Sequence, residues 1–259
     1  MANKHGDFVW YELATKDALA AQDFYGPLLG WTFEVSGQPD MPYYLFSKNG
    51  TQVGGMMSLT DDMIANGAAP LWAGYVEVGD IQTSTEKAQG LGASVYVPPT
   101  EIPGIGRFSM IADPQGAPIY MMEDLSGEES TSFAKHTPQE GHCAWNELAT
   151  TDPGAAAAFY SEMFGWKKSG EMDMGPIGLY VMYSVNGYGL GAMMRKPDEM
   201  PMSAWVYYLR VPDIDAAVEH IASNGGQLIG DPQEIPGGDY TLMASDPQGA
   251  VFALIGKRN

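Results

Sequence analysis

The fold is decided by a heptad that occurs twice, VWYELAT at residues 9–15 and AWNELAT at residues 144–150. In both copies tryptophan stands two places before glutamate, and aspartate follows two places after the closing threonine. Apolar and polar residues alternate along the heptad, a pattern typical of a half-buried strand. Its return after 135 residues indicates an internal duplication.

Other short motifs return at nearly the same lag along the whole chain. They are Phe-Tyr at 24–25 and 159–160, Gly-Trp at 30–31 and 165–166, Met-Met at 56–57 and 193–194, Trp-x-x-Tyr at 72–75 and 205–208, Glu-Ile-Pro-Gly at 101–104 and 234–237, and Asp-Pro-Gln-Gly at 113–116 and 246–249. The conserved order and small drift predict two tandem domains, residues 6–125 and 141–256. The polar, nonperiodic stretch at 126–140 is predicted to be their linker.

Local signals within each copy predict a strand, a helix and three strands, and then the same order again. Aspartate N-caps and glycine stops bound the helices, and Asn-Gly dipeptides favour hairpin turns. These markers are Asp17, Asp80 and Asp152 as caps, Gly30 and Gly165 as stops, and the turns at 49–50 and 186–187. The sequence therefore predicts an α+β protein of four βαβββ modules, paired into two domains with curved mixed sheets.

Composition narrows the classes of partner. The 259 residues are 45% hydrophobic and 17% charged, as in ordinary globular proteins. Thirteen basic against 32 acidic residues give a net charge of −19, which disfavours binding to nucleic acid or anionic membranes. The single cysteine, Cys143, excludes an intramolecular disulfide and is expected to be a small apolar filler. No apolar run approaches the ~20 residues of a membrane span, so a cytoplasmic location is expected.

The element order and the repeated motifs resemble the vicinal oxygen chelate superfamily, which includes glyoxalase I, bleomycin-resistance proteins and extradiol dioxygenases. The Phe-Tyr helix followed by Gly-Trp, the Trp-x-x-Tyr strand and the Asp-Pro-x-Gly turn carry this resemblance over residues 6–125 and 141–256. It implies a divalent metal held by histidine or glutamate on the first, fifth and last strands of a domain. Fusion supplies the pairing that single-domain relatives reach by dimerising, so a monomer is expected, and a homodimer remains the alternative.

The ligand positions implied by the resemblance carry poor metal donors. Counted from the landmark motifs, they fall on Trp10 and Trp145, on or next to Ala73 and Val206, and on Tyr120 and Ala253. Indole offers only an N–H donor, alanine and valine offer nothing, and tyrosine would have to ionise near pKa ~10. His5, His136, His142 and His220 are expected to be ordinary surface residues. No metal cofactor is therefore expected, although a divalent metal is the norm of the family.

Aromatic and thioether side chains are expected to line the two cup-shaped sheets instead. The predicted lining is Trp10, Tyr44, Met56, Tyr75 and Tyr120 in the first cup, and Trp145, Tyr180, Met193 and Tyr208 in the second. Glu77 is in phase with Tyr75 and is expected to face Glu12, whereas Glu123 is expected to point outward. Arg210 takes the place of Glu77 in the second copy, where it is expected to pair with Glu147 or a ligand carboxylate. The tryptophans as core residues and the glutamates as hydrogen-bonded rim groups remain open alternatives.

Three functions are compatible with these residues. The first is metal-free binding of a small aromatic or amphipathic organic molecule by the aromatic cups. The second is a glyoxalase-like lyase or isomerase, related to lactoylglutathione lyase, that acts on a thiol–aldehyde adduct with Glu12 and Glu147 as general bases. The third is an interaction module whose cups are closed by their own side chains.

Overall fold

A computed structural model of the protein describes residues 2–38 and 41–258. The first copy of the repeat forms β1 (Phe8–Thr15), α1 (Ala18–Leu29), β2 (Thr32–Gln38), β3 (Met41–Lys48), β4 (Thr51–Ser58), the short α2 (Asp61–Ala65), β5 (Leu71–Glu77), α3 (Ile81–Gly90), β6 (Ser94–Ile102), β7 (Gly106–Ala112) and β8 (Pro118–Asp124). The second forms β9 (Cys143–Thr150), α4 (Pro153–Phe164), β10 (Lys167–Asp173), a 3-10 turn (Gly175–Ile177), β11 (Leu179–Val185), β12 (Tyr188–Arg195), β13 (Ala204–Asp213), α5 (Ile214–Ser223), β14 (Gln227–Glu234), β15 (Tyr240–Ser245) and β16 (Val251–Lys257).

These strands form two eight-stranded mixed sheets, one for each copy. Their orders are β2-β3-β4-β1-β5-β8-β7-β6 and β10-β11-β12-β9-β13-β16-β15-β14. The strand order of the second sheet is therefore the same as that of the first. The first strand of each copy pairs in parallel with the fourth, and the fifth pairs in parallel with the eighth. The predicted α+β class and the four βαβββ modules are confirmed.

The local signals in the sequence act where they were predicted to act. Asp17 caps α1 by accepting hydrogen bonds from the backbone N–H groups of Leu19 and Ala20, both at 3.0 Å. Asp152 caps α4 through Ala155 in the same way. Left-handed backbone angles end both helices and turn both hairpins: φ is 67° at Gly30, 70° at Gly165, 52° at Asn49 and 49° at Asn186.

The chain divides into two compact units, and each contains segments of both copies. One comprises residues 1–9, 74–130 and 145–205, and the other comprises residues 10–73, 131–144 and 206–259. The domain limits 6–125 and 141–256, with a linker at 126–140, describe the sequence repeat and stay a prediction. Cys143 is buried, as expected of a small apolar filler. Its backbone forms an isolated parallel β-bridge with Phe133.

A buried hydrogen-bond chain joins the two copies within the unit that contains α1. The indole Nε1 of Trp72 donates to the Tyr25 hydroxyl at 3.0 Å, and that hydroxyl donates to Asp246 Oδ2 at 3.1 Å. The other carboxyl oxygen of Asp246 accepts from the backbone N–H groups of Gln248 and Ala250. Burial raises the pKa of Tyr25 well above its usual value, so its hydroxyl remains a donor.

The other unit contains the equivalent hydrogen-bond chain, with the two copies exchanged. Trp205 Nε1 donates to the Tyr160 hydroxyl at 2.9 Å, which donates to Asp113 Oδ2 at 3.0 Å. Asp113 also accepts from the backbone N–H groups of Gln115 and Ala117, and burial raises its pKa. The Phe-Tyr, Trp-x-x-Tyr and Asp-Pro-Gln-Gly motifs therefore recur because they supply the parts of one network.

Among the helices of residues 2–38 and 41–258, none is long and apolar enough to cross a membrane.

We expect Tyr25→Phe and Tyr160→Phe each to lower the free energy of unfolding by about 2–4 kcal/mol, because a buried indole N–H and a buried carboxyl oxygen lose their partner. Urea denaturation followed by circular dichroism measures this loss. Tyr96→Phe is the matched control, since the Tyr96 side chain is 58% exposed. A change no larger than that of the control would show that these chains do not stabilise the fold.

Candidate functional site

A hydrogen-bonded triad occupies one face of β9 and β11 in the second copy. Trp145 and Glu147 are two residues apart on β9, so both side chains project from the same face. Trp145 Nε1 donates to the Tyr180 hydroxyl at 2.7 Å, and that hydroxyl donates to Glu147 Oε2 at 2.8 Å. Burial and the Glu147 charge raise the pKa of Tyr180 well above its usual value. The hydroxyl therefore stays protonated, and it fixes the orientation of the carboxylate and of the indole.

Burial differs along this triad. Glu147 is only 8% exposed, whereas Trp145 is partly exposed. The Trp145 side chain is therefore incompletely buried, in contrast to Trp72 and Trp205 in the core hydrogen-bond chains. An aromatic ring held in place through its N–H and still accessible on its surface is suited to stack on a flat ligand.

The first copy has a corresponding pair on β1 and β3. Trp10 is partly exposed, and its Nε1 donates to the Tyr43 hydroxyl at 3.0 Å. The Tyr43 ring lies directly over Gly55, where an added Cβ would come within 2.3 Å of the Tyr43 hydroxyl oxygen. Glu12, two residues after Trp10, is buried on the same face.

Tyr43 corrects the prediction for this strand, which named Tyr44. In the β3–β4 register Tyr44 lies opposite Met56, whereas Tyr43 lies opposite Met57. A signal in the sequence identifies the right residue: the lag of 137 that relates Met56 to Met193 also relates Tyr43 to Tyr180.

The methionines need the same correction. Met56 is aligned with Leu13 and Met193 with Leu148, and both methionines are fully buried on the opposite face from Trp10 and Trp145. They are core residues and do not line a cup. The next residues, Met57 and Met194, are partly exposed on the faces that carry Glu12 and Glu147.

Aromatic rings cover the face of β5, β7 and β8. Tyr75 and Tyr120 stack with their ring centroids 4.2 Å apart and their planes within 5° of parallel. Phe108, which the sequence did not indicate, packs against Tyr120 at 5.9 Å. Tyr120 and Phe108 remain partly exposed, so this face is apolar and accessible at two rings.

Glu77 lies two residues beyond Tyr75 and is a buried acid with an unusual proton affinity. It is 8% exposed, and its Oε2 has no hydrogen-bond partner among the described residues. Burial, together with the nearby charges of Asp124, Asp7 and Glu123, raises the pKa of Glu77 from 4.5 to about 8. A carboxyl that titrates near neutral pH can act as a general acid or base.

Glu123 points away from this face, as predicted. Its Oε2 accepts from the backbone N–H of Ile81 at the start of α3, at 3.0 Å, and its Oε1 pairs with Arg107 at 2.6 Å. It therefore stabilises a helix N-terminus.

Arg210 has a partner that the sequence did not predict. Its guanidinium forms an ion pair with Asp239 Oδ2 at 2.7 Å, in place of the predicted Glu147, and Lys257 holds Asp239 Oδ1 at 2.7 Å. These two cations lower the pKa of Asp239. Asp239 precedes β15, and its counterpart at the lag of 133 is Gly106, so the repeat gave no signal for this pair. Tyr208, on the same face as Arg210, is almost wholly buried.

The positions implied for metal ligands carry indole, phenol and hydrocarbon side chains. Ala73, Val206 and Ala253 are buried apolar residues. Each indole N–H of Trp10 and Trp145 is donated to a tyrosine oxygen. Within residues 2–38 and 41–258, no three histidine, cysteine, aspartate or glutamate side chains are grouped so that they could hold a metal ion.

Three histidines instead bind backbone carbonyl groups. His5 contacts the carbonyl oxygen of Met163, and His220 contacts that of Phe24. His142, expected at the surface, is buried against Thr131, and burial lowers its pKa.

We expect Glu77→Gln to flatten the pH dependence of stability. The folded protein holds the Glu77 proton up to about pH 8, whereas an unfolded chain releases it near pH 4.5, so the free energy of unfolding falls as pH rises between these values. Thermal melting from pH 5 to pH 9 should show a smaller decline for Glu77→Gln than for the unaltered protein. Glu34→Gln, at an exposed position, is the control, and equal declines in all three proteins would contradict the expectation.

Comparison with known proteins identifies relatives over nearly the whole chain. Residues 7–120 and 141–254 match the family model described as the Glyoxalase/Bleomycin resistance protein/Dioxygenase superfamily. The protein named "Putative glyoxylase CFP32" of Mycobacterium tuberculosis is 30% identical over 248 residues, covering 95% of this chain and 93% of that one. The "Anthracycline biosynthesis protein DnrV" of Streptomyces peucetius is 27% identical over 265 residues, covering 95% and 91%.

Solved structures share the architecture at low sequence identity. The Mn(II)-bound glyoxalase from Novosphingobium aromaticivorans has a TM-score of 0.65 at 14% identity, covering 99% of this chain and 83% of that one. The 2,2',3-trihydroxybiphenyl 1,2-dioxygenase from Sphingomonas wittichii has a TM-score of 0.67 at 12% identity, covering 98% and 91%. At these identities the likeness establishes the fold alone.

Proposed function

Because the chain belongs to the glyoxalase/bleomycin resistance protein/dioxygenase superfamily, a fold that hosts many activities, we propose that it binds a small, flat aromatic or amphipathic molecule without a metal ion. The observation that carries this proposal is the partly exposed indole of Trp145, held by Tyr180 and Glu147. Trp10 and Tyr43 offer a simpler version of the same arrangement.

The chemistry of the faces supports an aromatic ligand. Trp145 and Met194 offer polarizable apolar surface, on which stacking and apolar burial stabilise a planar ring. The Tyr180 hydroxyl accepts from Trp145 and donates its one hydrogen to Glu147, so its remaining lone pair can accept a hydrogen bond from a ligand hydroxyl close to the ring. The apolar surface can therefore bind many flat rings, and the Tyr180 hydroxyl favours those that carry a polar group nearby.

Donor chemistry supports the metal-free part of the proposal. On the first strand of each copy, the indole N–H of Trp10 or Trp145 already donates to a tyrosine hydroxyl. An indole nitrogen that carries its hydrogen is a donor only and has no free lone pair for a metal ion. At the positions of Val206 and Ala253 the side chains are hydrocarbon. Binding through the ring faces needs none of these groups to hold an ion.

The names of two relatives support the choice of ligand class. DnrV of Streptomyces peucetius and DauV of Streptomyces sp. (strain C5) are named anthracycline biosynthesis proteins, and each is 27% identical to this chain. Anthracyclines contain a flat, fused-ring system that bears phenol and quinone oxygens. A molecule of this general shape suits an indole surface with an adjacent phenol and carboxylate.

We expect 1,4-dihydroxyanthraquinone to bind with saturation in a titration followed by tryptophan fluorescence and calorimetry. Trp145→Ala should weaken binding about tenfold or more, because the stacking surface is lost. Tyr180→Phe should weaken it about three- to tenfold, because one hydrogen-bonding hydroxyl is removed.

Trp10→Ala is the matched control in the first copy, and it separates binding at one face from binding at both. Tyr96→Phe controls for substitution at an exposed aromatic residue. Absence of saturable binding, or equal affinity in Trp145→Ala, would refute the proposal. Adding a chelator should leave the affinity unchanged.

Glu77 favours a second candidate, a glyoxalase-like lyase or isomerase that acts on a thiol–aldehyde adduct. Its pKa of about 8 makes its ionised form, which predominates above that pH, a base strong enough to remove a proton from an acidic C–H. Glu12 and Glu147 are the other bases proposed for this chemistry.

Turnover of the methylglyoxal–thiol adduct tests this candidate, with and without Ni²⁺, Zn²⁺ or Mn²⁺. If Glu77 is the base, Glu77→Gln should reduce turnover about 100-fold or more, and Glu147→Gln and Glu12→Gln separate the other two. An inert protein under all conditions removes the enzyme candidate. Turnover that requires an added metal would instead refute metal-free function.

A further inference from the structure

An open cavity lies on the face of the second sheet that is turned away from Trp145. Its floor is formed by Leu179, Val181 and Tyr183, which alternate along β11 with residues of the Tyr180 face. Its volume is about 550 Å³, which is within the range of small-molecule sites. We call it the α4–β11 groove.

Small residues on α4 leave this space open. Gly154 and Ala157 line one side of the groove, one helical turn apart, and the turn of residues 176–178 lines the other. A Cβ added at Gly154 would have Asp152 Oδ1, at 3.4 Å, as its one neighbour within 4 Å among the described residues. The groove therefore exists because α4 carries no bulk at these positions.

The first copy of the repeat has large residues at the matching positions. At the lag of 135, Leu19 and Gln22 correspond to Gly154 and Ala157. At the lag of 137, Tyr44 corresponds to Val181. The small residues that line the groove are therefore specific to the second copy.

Two cations border the groove, and both are absent from the first copy. Lys168 and Arg195 belong to the lining of the groove. Their counterparts in the first copy are Phe33 and Ser58. None of the described lining residues is acidic, although the chain has 32 acids against 13 bases. This local reversal of charge favours an anion.

The strand register places the two cations toward opposite ends of the floor. Lys168 pairs with Tyr183 on β11, whereas Arg195 lies two residues beyond Met193, the partner of Val181. The floor between Leu179 and Tyr183 spans four residues, or about 13 Å at ~3.3 Å per residue.

Both cations can receive a ligand anion. Lys168 forms an exposed ion pair with Glu171, three residues away, of the kind that contributes little and exchanges readily. Arg195 donates to the carbonyl oxygen of Thr151 at 3.2 Å, and a guanidinium has five N–H donors in all. A carboxylate can therefore bind at either end without breaking the fold.

We propose that the α4–β11 groove binds an elongated organic acid, with an apolar chain of about eight to ten carbons on the β11 floor and a carboxylate held by Arg195 or Lys168. This site is separate from the aromatic faces. Its occupancy does not depend on the function proposed for Trp145.

Nuclear magnetic resonance titration of the full chain with octanoate tests the site, and 1-octanol serves as the uncharged probe. Octanoate should shift the backbone amide signals of Gly154, Ala157 and Gly178 with saturation. 1-Octanol should bind about three- to fivefold more weakly, because it lacks the charge. Octanedioate should bind at least as well as octanoate, because each end of the groove has a cation.

The double variant Gly154→Leu/Ala157→Gln copies the first helix and fills the groove. It should weaken octanoate binding at least about tenfold, because the apolar chain loses its space. Ala158→Gln on the exposed face of α4 is the matched control, and it should leave binding unchanged. Lys168→Gln/Arg195→Gln should reduce the affinity for octanoate to that for 1-octanol.

Melting curves establish that each variant folds, and Trp145→Ala should leave octanoate binding unchanged. No saturable shift in the unaltered protein, undiminished binding in the filled variant, or equal affinity for octanoate and 1-octanol would each overturn the proposal. Loss of octanoate binding in Trp145→Ala would overturn the separation of the two sites.

Discussion

The structure depends on two buried hydrogen-bond chains, Trp72–Tyr25–Asp246 and Trp205–Tyr160–Asp113. In each chain a tyrosine hydroxyl satisfies an indole and a carboxylate at once, deep in an apolar core where an unpaired polar group is costly. The indole and the phenol come from one copy of the repeat, and the carboxylate comes from the other. Each compact unit thus contains a polar network that needs one segment from each copy.

The same combination of tryptophan, tyrosine and acid recurs on the sheet faces, with a different outcome. Trp145, Tyr180 and Glu147 form a similar chain, but the indole is partly exposed. In the core the chain stabilises the fold, whereas on the face it holds an aromatic surface in one orientation. Exposure of the ring, more than the identity of the three residues, therefore separates the structural chains from the candidate site.

Local chemistry made the fold predictable from the sequence. Aspartate caps, glycine stops and Asn-Gly turns act within a few residues, and the repeat confirmed each assignment twice. The faces of the strands were harder. Tyr43 and Tyr44, like Met56 and Met57, are adjacent residues of the same type, and a one-residue slip in register exchanges the core for the surface. The ion pair of Arg210 with Asp239 and the burial of His142 arise from contacts between distant segments, for which the sequence carried no local signal.

The α4–β11 groove shows what fusion of the two copies permits. In a symmetric homodimer each substitution is present in both subunits, so a change that opens a groove in one opens it in the other. A fused chain encodes its halves separately, so α1 can carry Leu19 where α4 carries Gly154. The two halves of a fused chain can therefore differ in surface while they share one fold, which two identical subunits cannot do.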